Sequence, residues 1–158
     1  MSFPHRSAVV AWACWSLAFL ASAAHAPRLV VDVATVSPRL LPLAGAIALF
    51  IAIVAWLQRE MGLALARSSF GAPQTLVTSG PFAYSRNPIY LAFAIPLASL
   101  ALYSIPGALF GLALYFAAMT ILVVRPEERD LARAFGPAFG AYAARTPRWI
   151  GMPRDPAA

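Results

Sequence analysis

The sequence predicts an all-α polytopic membrane protein: a single domain with about four transmembrane helices and a cytoplasmic amphipathic C-terminal helical segment. The chain has 158 residues, of which 61% are hydrophobic and only 11% are charged. A soluble domain carries about 25% charged residues, so this chain cannot build a water-facing surface. Long uncharged runs recur along it, and its arginines cluster between and after those runs, as is typical of membrane proteins.

Each uncharged run has the length that a helix needs to cross a bilayer, which is roughly 20 residues. Residues 7–24 and 40–57 each form one such run. The run from Asn87 to Val124 has 38 residues, enough for two spans that are joined by a turn at Ser104-Ile105-Pro106-Gly107. The predicted spans are therefore 7–24, 40–57, 88–104 and 107–124, followed by a tail over 125–158.

Two features inside this predicted hairpin indicate local geometry. Pro96 is expected to kink the third span, because proline lacks the N–H that an interior helical position donates. Gly107 and Gly111 give the fourth span a small-xxx-small spacing, which lets a neighbouring helix approach closely.

The arginines predict the orientation, because cytoplasmic loops collect positive charge. With the N-terminus in the cytoplasm, only Arg28 and Arg39 of the twelve arginines fall outside. We therefore predict an inner-membrane protein with both termini in the cytoplasm. Residues 1–26 also resemble a cleaved signal peptide that ends at Ala24-His25-Ala26. The uncharged run of 18 residues favours a retained span, and both alternatives give the rest of the chain the same orientation.

Composition also limits the kinds of partner and site. The net charge of +6 is explained by the membrane, so the expected partner is the lipid bilayer and no nucleic-acid partner is expected. The single cysteine, Cys14, lies in an apolar run and can form neither an intrachain disulfide nor a cysteine metal cluster. We expect no metal site, and the oligomeric state stays open.

Polar residues gather at both ends of the hairpin. Arg86 directly precedes the third span, and Glu127 and Glu128 directly follow the fourth. Because the chain crosses the membrane and returns, these side chains are predicted to share one membrane face. An interfacial belt of salt bridges is the alternative explanation for them.

The tail has an amphipathic pattern. Apolar residues recur at Leu131, Phe135, Phe139 and Tyr142, at intervals typical of a helix. This pattern beside a membrane predicts an interfacial helix. Gly136-Pro137 is expected to divide it into two short helices, the second of which begins at the proline.

The two polar segments resemble the motifs of a known family. Gly80 to Tyr90, GPFAYSRNPIY, is similar to the G-P-Y-x-x-x-R-H-P-x-Y motif of the isoprenylcysteine carboxyl methyltransferase family, whose membrane relatives include phospholipid methyltransferases. Glu127 to Pro147 resembles that family's E-E-x-x-L-x-x-x-F-G-x-x-Y-x-x-Y-x-x-R-V-P motif. The resemblance covers roughly residues 76–150.

The resemblance implies S-adenosylmethionine as methyl donor, held at the cytosolic end of the hairpin under the C-terminal segment, and a lipophilic or small acceptor. A carboxylate can pair the donor's ammonium, and an arginine can hold its carboxylate. Whether the acceptor is a carboxylate, an amine or a thiol stays open. Arg86 and Glu128 are the candidate catalytic residues. The candidate donor-binding residues are Tyr84, Asn87, Pro88, Tyr90, Glu127, Tyr142 and Arg145.

The chain departs from the family pattern at a few positions. Asn87 stands where the family usually has histidine, and asparagine can position a group but cannot titrate near neutral pH. Phe139 replaces a tyrosine and lacks its hydroxyl. These departures motivate an alternative hypothesis, in which the chain keeps the family fold but has lost catalysis.

Overall fold

The computed structural model describes residues 3–67 and 76–154, and side chains from residues 9–60 and 76–154. No strand occurs in this described part, as predicted for an all-α protein. Arg6 and Arg67, which contribute to the predicted orientation, lie outside the described side chains. The α-helices are α1 (Phe3–Ala23), α2 (Pro27–Ala34), α3 (Leu41–Arg67), α4 (Pro81–Tyr84), α5 (Pro88–Ala92), α6 (Ala94–Ser99), α7 (Ile105–Met119), α8 (Arg125–Phe135) and α9 (Pro137–Arg145).

The number of spans differs from the four that were predicted. Two helical runs, Pro38–Glu60 and Ile105–Phe135, are long and apolar enough to cross a membrane. A third span is possible only if α1 and α2, which meet at an angle of 99°, together form one bent span. The apolar run Pro88–Leu102 is shorter than these. Length and composition thus support two or three spans in the described chain, and the count of four is not confirmed.

The third predicted span is broken where proline predicts a kink. Helix α5 ends at Ala92 and α6 begins at Ala94. Pro96 has no N–H to donate to the carbonyl of Ala92, and its ring crowds that carbonyl. At the break, the indole Nε1 of Trp15 on α1 donates to the carbonyl of Phe93 at 2.9 Å, so the interruption is also a contact between helices.

The predicted glycine packing joins α7 to α1. A Cβ atom on Gly111 would lie 2.8 Å from Cβ of Ser22 and 2.9 Å from the carbonyl oxygen of Ala18, and one on Gly107 would lie 2.8 Å from the carbonyl oxygen of Ser22. Only glycine permits this approach. The turn before α7 is capped by Ser104, whose hydroxyl accepts from the Gly107 N–H at 3.2 Å.

The first of the two predicted tail helices continues directly from the fourth predicted span. Helix α7 continues through a π turn at Thr120–Val124 directly into α8. The wider π turn accommodates Pro126, which cannot donate to the carbonyl of Leu122. The continuous run Ile105–Phe135 has 31 residues, or roughly 46 Å at 1.5 Å per residue. This exceeds the roughly 30 Å hydrocarbon core, so part of the helix must project beyond the bilayer.

The predicted break at Gly136-Pro137 is confirmed. Gly136 has a φ of +52°, and α9 begins at Pro137. The chain leaves α9 at Thr146 and runs without helix to Arg154. Residues 146–154, called the C-terminal strap below, lie back over the chain that precedes α5.

Candidate functional site

The strap is held by main-chain hydrogen bonds to the segment before α5. The Arg86 N–H donates to the Pro147 carbonyl at 3.0 Å, and the Gly151 N–H donates to the Tyr84 carbonyl at 3.1 Å. The Asn87 side chain adds a third bond, from Nδ2 to the Arg148 carbonyl at 2.9 Å. Asn87 therefore ties the strap down.

Two arginines share the carboxylate of Glu128. The Arg86 guanidinium lies 3.2 Å from Oε1 of Glu128. Arg148, on the strap, donates through Nε to Oε1 at 3.0 Å and through Nη2 to Oε2 at 2.7 Å, the bidentate geometry that strengthens such pairs. Arg86 and Glu128, which flank the predicted hairpin, thus meet as the sequence predicts. Both carboxylate oxygens of Glu128 are engaged by arginines.

Burial distinguishes the two arginines. The Arg86 side chain is 14% exposed and that of Arg148 is 35% exposed. Burial lowers the pKa of Arg86, whereas the hydrogen bond to Glu128 raises the pKa of Arg148. The Nε atom of Arg86 is buried without a hydrogen-bond partner among the described residues. Its guanidinium therefore has donor capacity left for a ligand.

Glu127 has a different hydrogen-bond partner from Glu128. The Tyr90 hydroxyl donates to Oε1 of Glu127 at 2.8 Å. Tyr90 is braced in turn by the buried Tyr115, whose hydroxyl donates to the Tyr90 carbonyl at 2.7 Å. A chain of hydrogen bonds from α7 thus fixes the Tyr90–Glu127 pair.

A cavity of about 260 Å³ lies beside this pair. We call it the polar cavity because arginine, asparagine and glutamate side chains are in its wall. Five of the candidate site residues contribute to its wall. The cavity is lined by Phe82, Arg86, Asn87, Pro88, Ile89, Tyr90 and Glu127.

A larger apolar cleft of about 580 Å³ adjoins the polar cavity. Its walls come chiefly from α1, α3 and α5, with Glu127 from α8. It shares Ile89, Tyr90 and Glu127 with the polar cavity. The Tyr90–Glu127 pair therefore lies where the cavity lined by Arg86 and the apolar cleft meet. The other lining residues are Ala11, Trp12, Phe50, Ile51, Val54, Ala55, Gln58 and Phe93.

The remaining candidates lie outside both cavities. Tyr142 is buried, and its hydroxyl donates to the carbonyl of Phe82 at 2.8 Å, so it supports a wall of the polar cavity. Burial raises the pKa of Tyr142 to about 12, which keeps its phenol neutral. Tyr84 is 52% exposed, and Arg145 is exposed and contacts the strap through its carbonyl. Glu128 lines neither cavity.

Sequence reasoning missed Arg148 and the apolar cleft. Arg148 is one of several arginines in the tail, and only the return of the strap places it on Glu128. Trp12 and Phe50 are separated from Tyr90 by long stretches of sequence and meet it only through helix packing. Glu128 and the Arg86 motif are the signals that could have indicated a second cation here, because a buried carboxylate needs its oxygens satisfied.

The Asn87 tether gives a first testable prediction. Asn87→Asp keeps the shape of the side chain but removes the Nδ2 donor to the Arg148 carbonyl. A lost hydrogen bond of about 1 kcal/mol is expected to open the strap about fivefold more often. Tryptic cleavage after Arg148 or Arg154 should accelerate by that factor. Asn87→His, with a ring N–H, is the comparison; equal cleavage of the wild type and Asn87→Asp would contradict the tether.

Comparison with known proteins identifies a family whose model matches this chain. The family model described as phospholipid methyltransferase matches residues 42–138. The chain is 43% identical over 77 residues to the cobalt-zinc-cadmium resistance protein CzcN of Cupriavidus metallidurans. It is 40% identical over 76 residues to the nickel-cobalt-cadmium resistance protein NccN of Alcaligenes xylosoxydans xylosoxydans.

These matches are partial. Each covers 48% of this chain and 35% of the relative, so the matched region spans about a third of the length of the curated relatives. No solved structure matches the chain significantly. In the part of the chain that the structure describes, no group of three histidine, cysteine, aspartate or glutamate side chains is placed to hold a metal ion.

Proposed function

Since the chain belongs to the phospholipid methyltransferase family, we propose that it is a membrane-embedded S-adenosylmethionine-dependent methyltransferase acting on a lipophilic or small acceptor. The observation that carries the proposal is the meeting of two cavities at the Tyr90–Glu127 pair. Arg86 and Glu127 line the smaller cavity, which suits a zwitterionic donor. Aromatic and aliphatic side chains line most of the larger one, which suits an acceptor that arrives from the bilayer.

The residues of the polar cavity fit the donor. S-adenosylmethionine supplies an electrophilic methyl group on a sulfonium and carries an ammonium and a carboxylate. Arg86 lines the cavity and has an unsatisfied Nε, which suits a carboxylate. Glu127 lines the same cavity and suits an ammonium. The cavity is slightly smaller than the roughly 300 Å³ at which ligand sites begin, but the adjoining cleft extends it.

Glu128 has a positioning role in this proposal. Its two oxygens are engaged by Arg86 and Arg148, so it holds the Arg86 guanidinium beside the cavity. Arg148 and Asn87 hold the strap across that end of the hairpin. A closed strap excludes water, and a displacement reaction at a methyl group gains chiefly from alignment and desolvation.

The acceptor enters, in this proposal, through the apolar cleft. Trp12, Phe50 and Phe93 give it aromatic walls, and Gln58 is among its few polar residues. A carboxylate acceptor needs no general base, whereas an amine or thiol must lose a proton. Lipid N-methylation and thiol S-methylation thus remain alternatives to carboxyl methylation. The relatives' names describe metal resistance, which leaves the acceptor chemistry open.

The distribution of arginines supports the sidedness that we propose. We place the Arg86–Glu128 end in the cytoplasm, where the donor is made, and both termini on that side. The six arginines from Arg125 to Arg154 lie at this end of the chain, in agreement with the positive-inside rule.

Donor binding is the decisive test. Titration calorimetry on the purified protein in nanodiscs should detect S-adenosylmethionine at micromolar to millimolar concentration, and no heat at millimolar donor would refute the proposal. A labelled-donor assay against total membrane lipid and small thiols then identifies the acceptor class. Donor binding without transfer to any of these would favour the non-catalytic alternative that Asn87 and Phe139 motivate.

Tyr90→Phe tests the pair at the junction of the cavities. Without its hydroxyl, Glu127 loses the 2.8 Å hydrogen bond that orients it, and hydrogen bonds to charged groups contribute about 1.5–3 kcal/mol. The donor Kd is expected to rise at least tenfold. Tyr103→Phe, which removes a hydroxyl bonded to the Arg39 carbonyl, is the matched control and should leave the Kd unchanged. An unaltered Kd in Tyr90→Phe would remove the pair from the donor site.

A further inference from the structure

A second charged cleft lies at the opposite end of the helices from the proposed methyl-transfer site. It has a volume of about 400 Å³ and is lined by Arg28, Asp32, Arg39, Pro42, Leu102 and Tyr103; we call it the distal cleft. Tyr103 is next to the start of α7, and Glu127 follows 22 residues after Ile105 on one continuous helix. At 1.5 Å per residue the two sites are separated by roughly 33 Å.

Helix α2 indicates the depth of the distal cleft in the membrane. It turns by 99° from α1, so it runs across the end of that helix. Val30, Val31 and Val33 are 65%, 61% and 57% exposed, while Leu29 and Asp32 are buried. A short crosswise helix with an exposed apolar face suits the boundary between headgroups and acyl chains. The polar residues beside it then lie at the level of lipid headgroups.

The charges in the distal cleft do not neutralise one another directly. Asp32 is only 7% exposed, yet none of the ion pairs within 4 Å between described residues joins it to Arg28 or Arg39. Its carbonyl is used by the Ser37 N–H, but no hydrogen bond to its carboxylate is formed by the residues that the structure describes. The carboxylate of Asp32, which lines the distal cleft, therefore has acceptor capacity left for a cationic group.

Two arginines and one aspartate in the same cleft disfavour a ligand whose charges all have one sign. A simple anion would pair with the two arginines but would meet the carboxylate of Asp32. A simple cation would pair with Asp32 but would meet the arginines. A phosphate ester that carries an ammonium a few ångströms away satisfies both, because arginine suits phosphate and a carboxylate suits an ammonium. Leu102 and Ile105, which are 68% and 63% exposed, provide apolar surface beside the cleft for acyl chains.

We propose that the distal cleft binds the headgroup of a zwitterionic aminophospholipid, with its phosphate on Arg28 and Arg39 and its ammonium on Asp32. The bound lipid is not the methyl acceptor, because it lies at the far end of α7 from the Tyr90–Glu127 pair. It fixes α2 and the Tyr103 turn against the start of α3. The proposal does not depend on the proposed methyltransferase activity.

Native mass spectrometry of the purified protein tests this site. The detergent-solubilised chain is mixed with equal amounts of phosphatidylethanolamine and phosphatidylglycerol that have identical acyl chains. The wild type is expected to retain phosphatidylethanolamine severalfold more than phosphatidylglycerol. Asp32→Asn should bring that ratio close to one, and Arg39→Gln should reduce the retention of both lipids. No preference in the wild type, or an unchanged ratio in Asp32→Asn, would overturn the proposal.

Matched controls separate the distal cleft from general effects of charge. Asp130→Asn and Arg59→Gln remove the same charges elsewhere, at a surface ion pair and an exposed position on α3, and should leave lipid retention as in the wild type. If Asp32→Asn fails to fold, Arg28→Gln at an exposed position gives the same test as Arg39→Gln. Soluble O-phosphoethanolamine should raise the melting temperature less than the lipid does; equal stabilisation would overturn a lipid as the occupant.

Discussion

Glu128→Ala is expected to reduce methyl transfer about 100-fold, weaken donor binding and loosen the C-terminal strap. The substitution leaves Arg86, whose side chain is 14% exposed, without its anionic partner. Removing one member of a buried pair costs about 3–5 kcal/mol. Since Arg148 is 35% exposed, water can replace part of its interaction, and we expect a loss of about 2–3 kcal/mol in stability.

The effect on activity follows from the position of Arg86. Without Glu128, its guanidinium can leave the wall of the polar cavity, and a misplaced contact can reduce a rate about 100-fold. A labelled-donor assay, calorimetry with S-adenosylmethionine and tryptic cleavage of the strap measure the three expected changes. Glu128→Gln, which keeps the shape but loses the charge, should be intermediate in stability.

The control for this prediction lies on the same helix. Asp130→Asn breaks the ion pair with Arg133, in which the arginine side chain is 80% exposed. Exposed pairs contribute about 0–1 kcal/mol, so this variant should behave like the wild type in all three measurements. Wild-type donor affinity and strap cleavage in Glu128→Ala would refute the positioning role.

Gly111→Leu is expected to give the largest loss of stability. Even a Cβ atom at this position would lie 2.9 Å from the Ala18 carbonyl oxygen and 2.8 Å from Cβ of Ser22, so α1 and α7 must separate. Overpacking typically costs about 1–3 kcal/mol, and backbone contacts leave little room for relief. We expect a loss of about 3 kcal/mol and a fall of about 10 °C in Tm, measured by thermal unfolding in detergent.

Gly45→Leu is the matched control, because Gly45 lies on α3 and nothing stands within 4 Å of a Cβ atom there. Replacing a helical glycine at an open position is expected to be neutral or to stabilise by about 0.5–1 kcal/mol. If Gly111→Leu has the same Tm as Gly45→Leu, the glycine contact between α1 and α7 does not stabilise the fold.

The same separation should widen the apolar cleft. Ala11 and Trp12 on α1 form one of its walls, and the α1–α7 contact holds that helix in place. A further fall in methyl transfer beyond the loss of folded protein is therefore expected for Gly111→Leu.

Local patterns predicted much of the backbone. Pro96 predicted a kink in the third span, which the structure shows as a break after Ala92. Gly136 and Pro137 predicted the start of α9, and Gly107 and Gly111 predicted a close helix contact. These predictions hold because each depends on the covalent chemistry of one residue: a missing N–H, a tolerated positive φ or an absent Cβ.

Patterns of hydrophobicity were less informative about helix boundaries. The amphipathic tail predicted an interfacial helix after the fourth span, but α7 runs through a π turn into α8. An apolar run also predicted a whole span from residue 88, where the described helix is short and interrupted. The hydrophobicity of a segment indicates whether it prefers lipid or water. Whether a helix continues depends instead on whether the backbone can tolerate a proline and the carbonyl four residues before it.

By itself, the sequence determined that this is an all-α membrane protein and predicted that Arg86 and Glu127–Glu128 meet, because the apolar chain between them reverses at a turn before Gly107. Tertiary structure alone decided how those groups are shared: Glu127 bonds Tyr90 beside the cavities, while Glu128 joins Arg86 to Arg148. Neighbouring residues on a helix point in directions about 100° apart. Which partner each carboxylate meets therefore depends on how the helix and the strap pack.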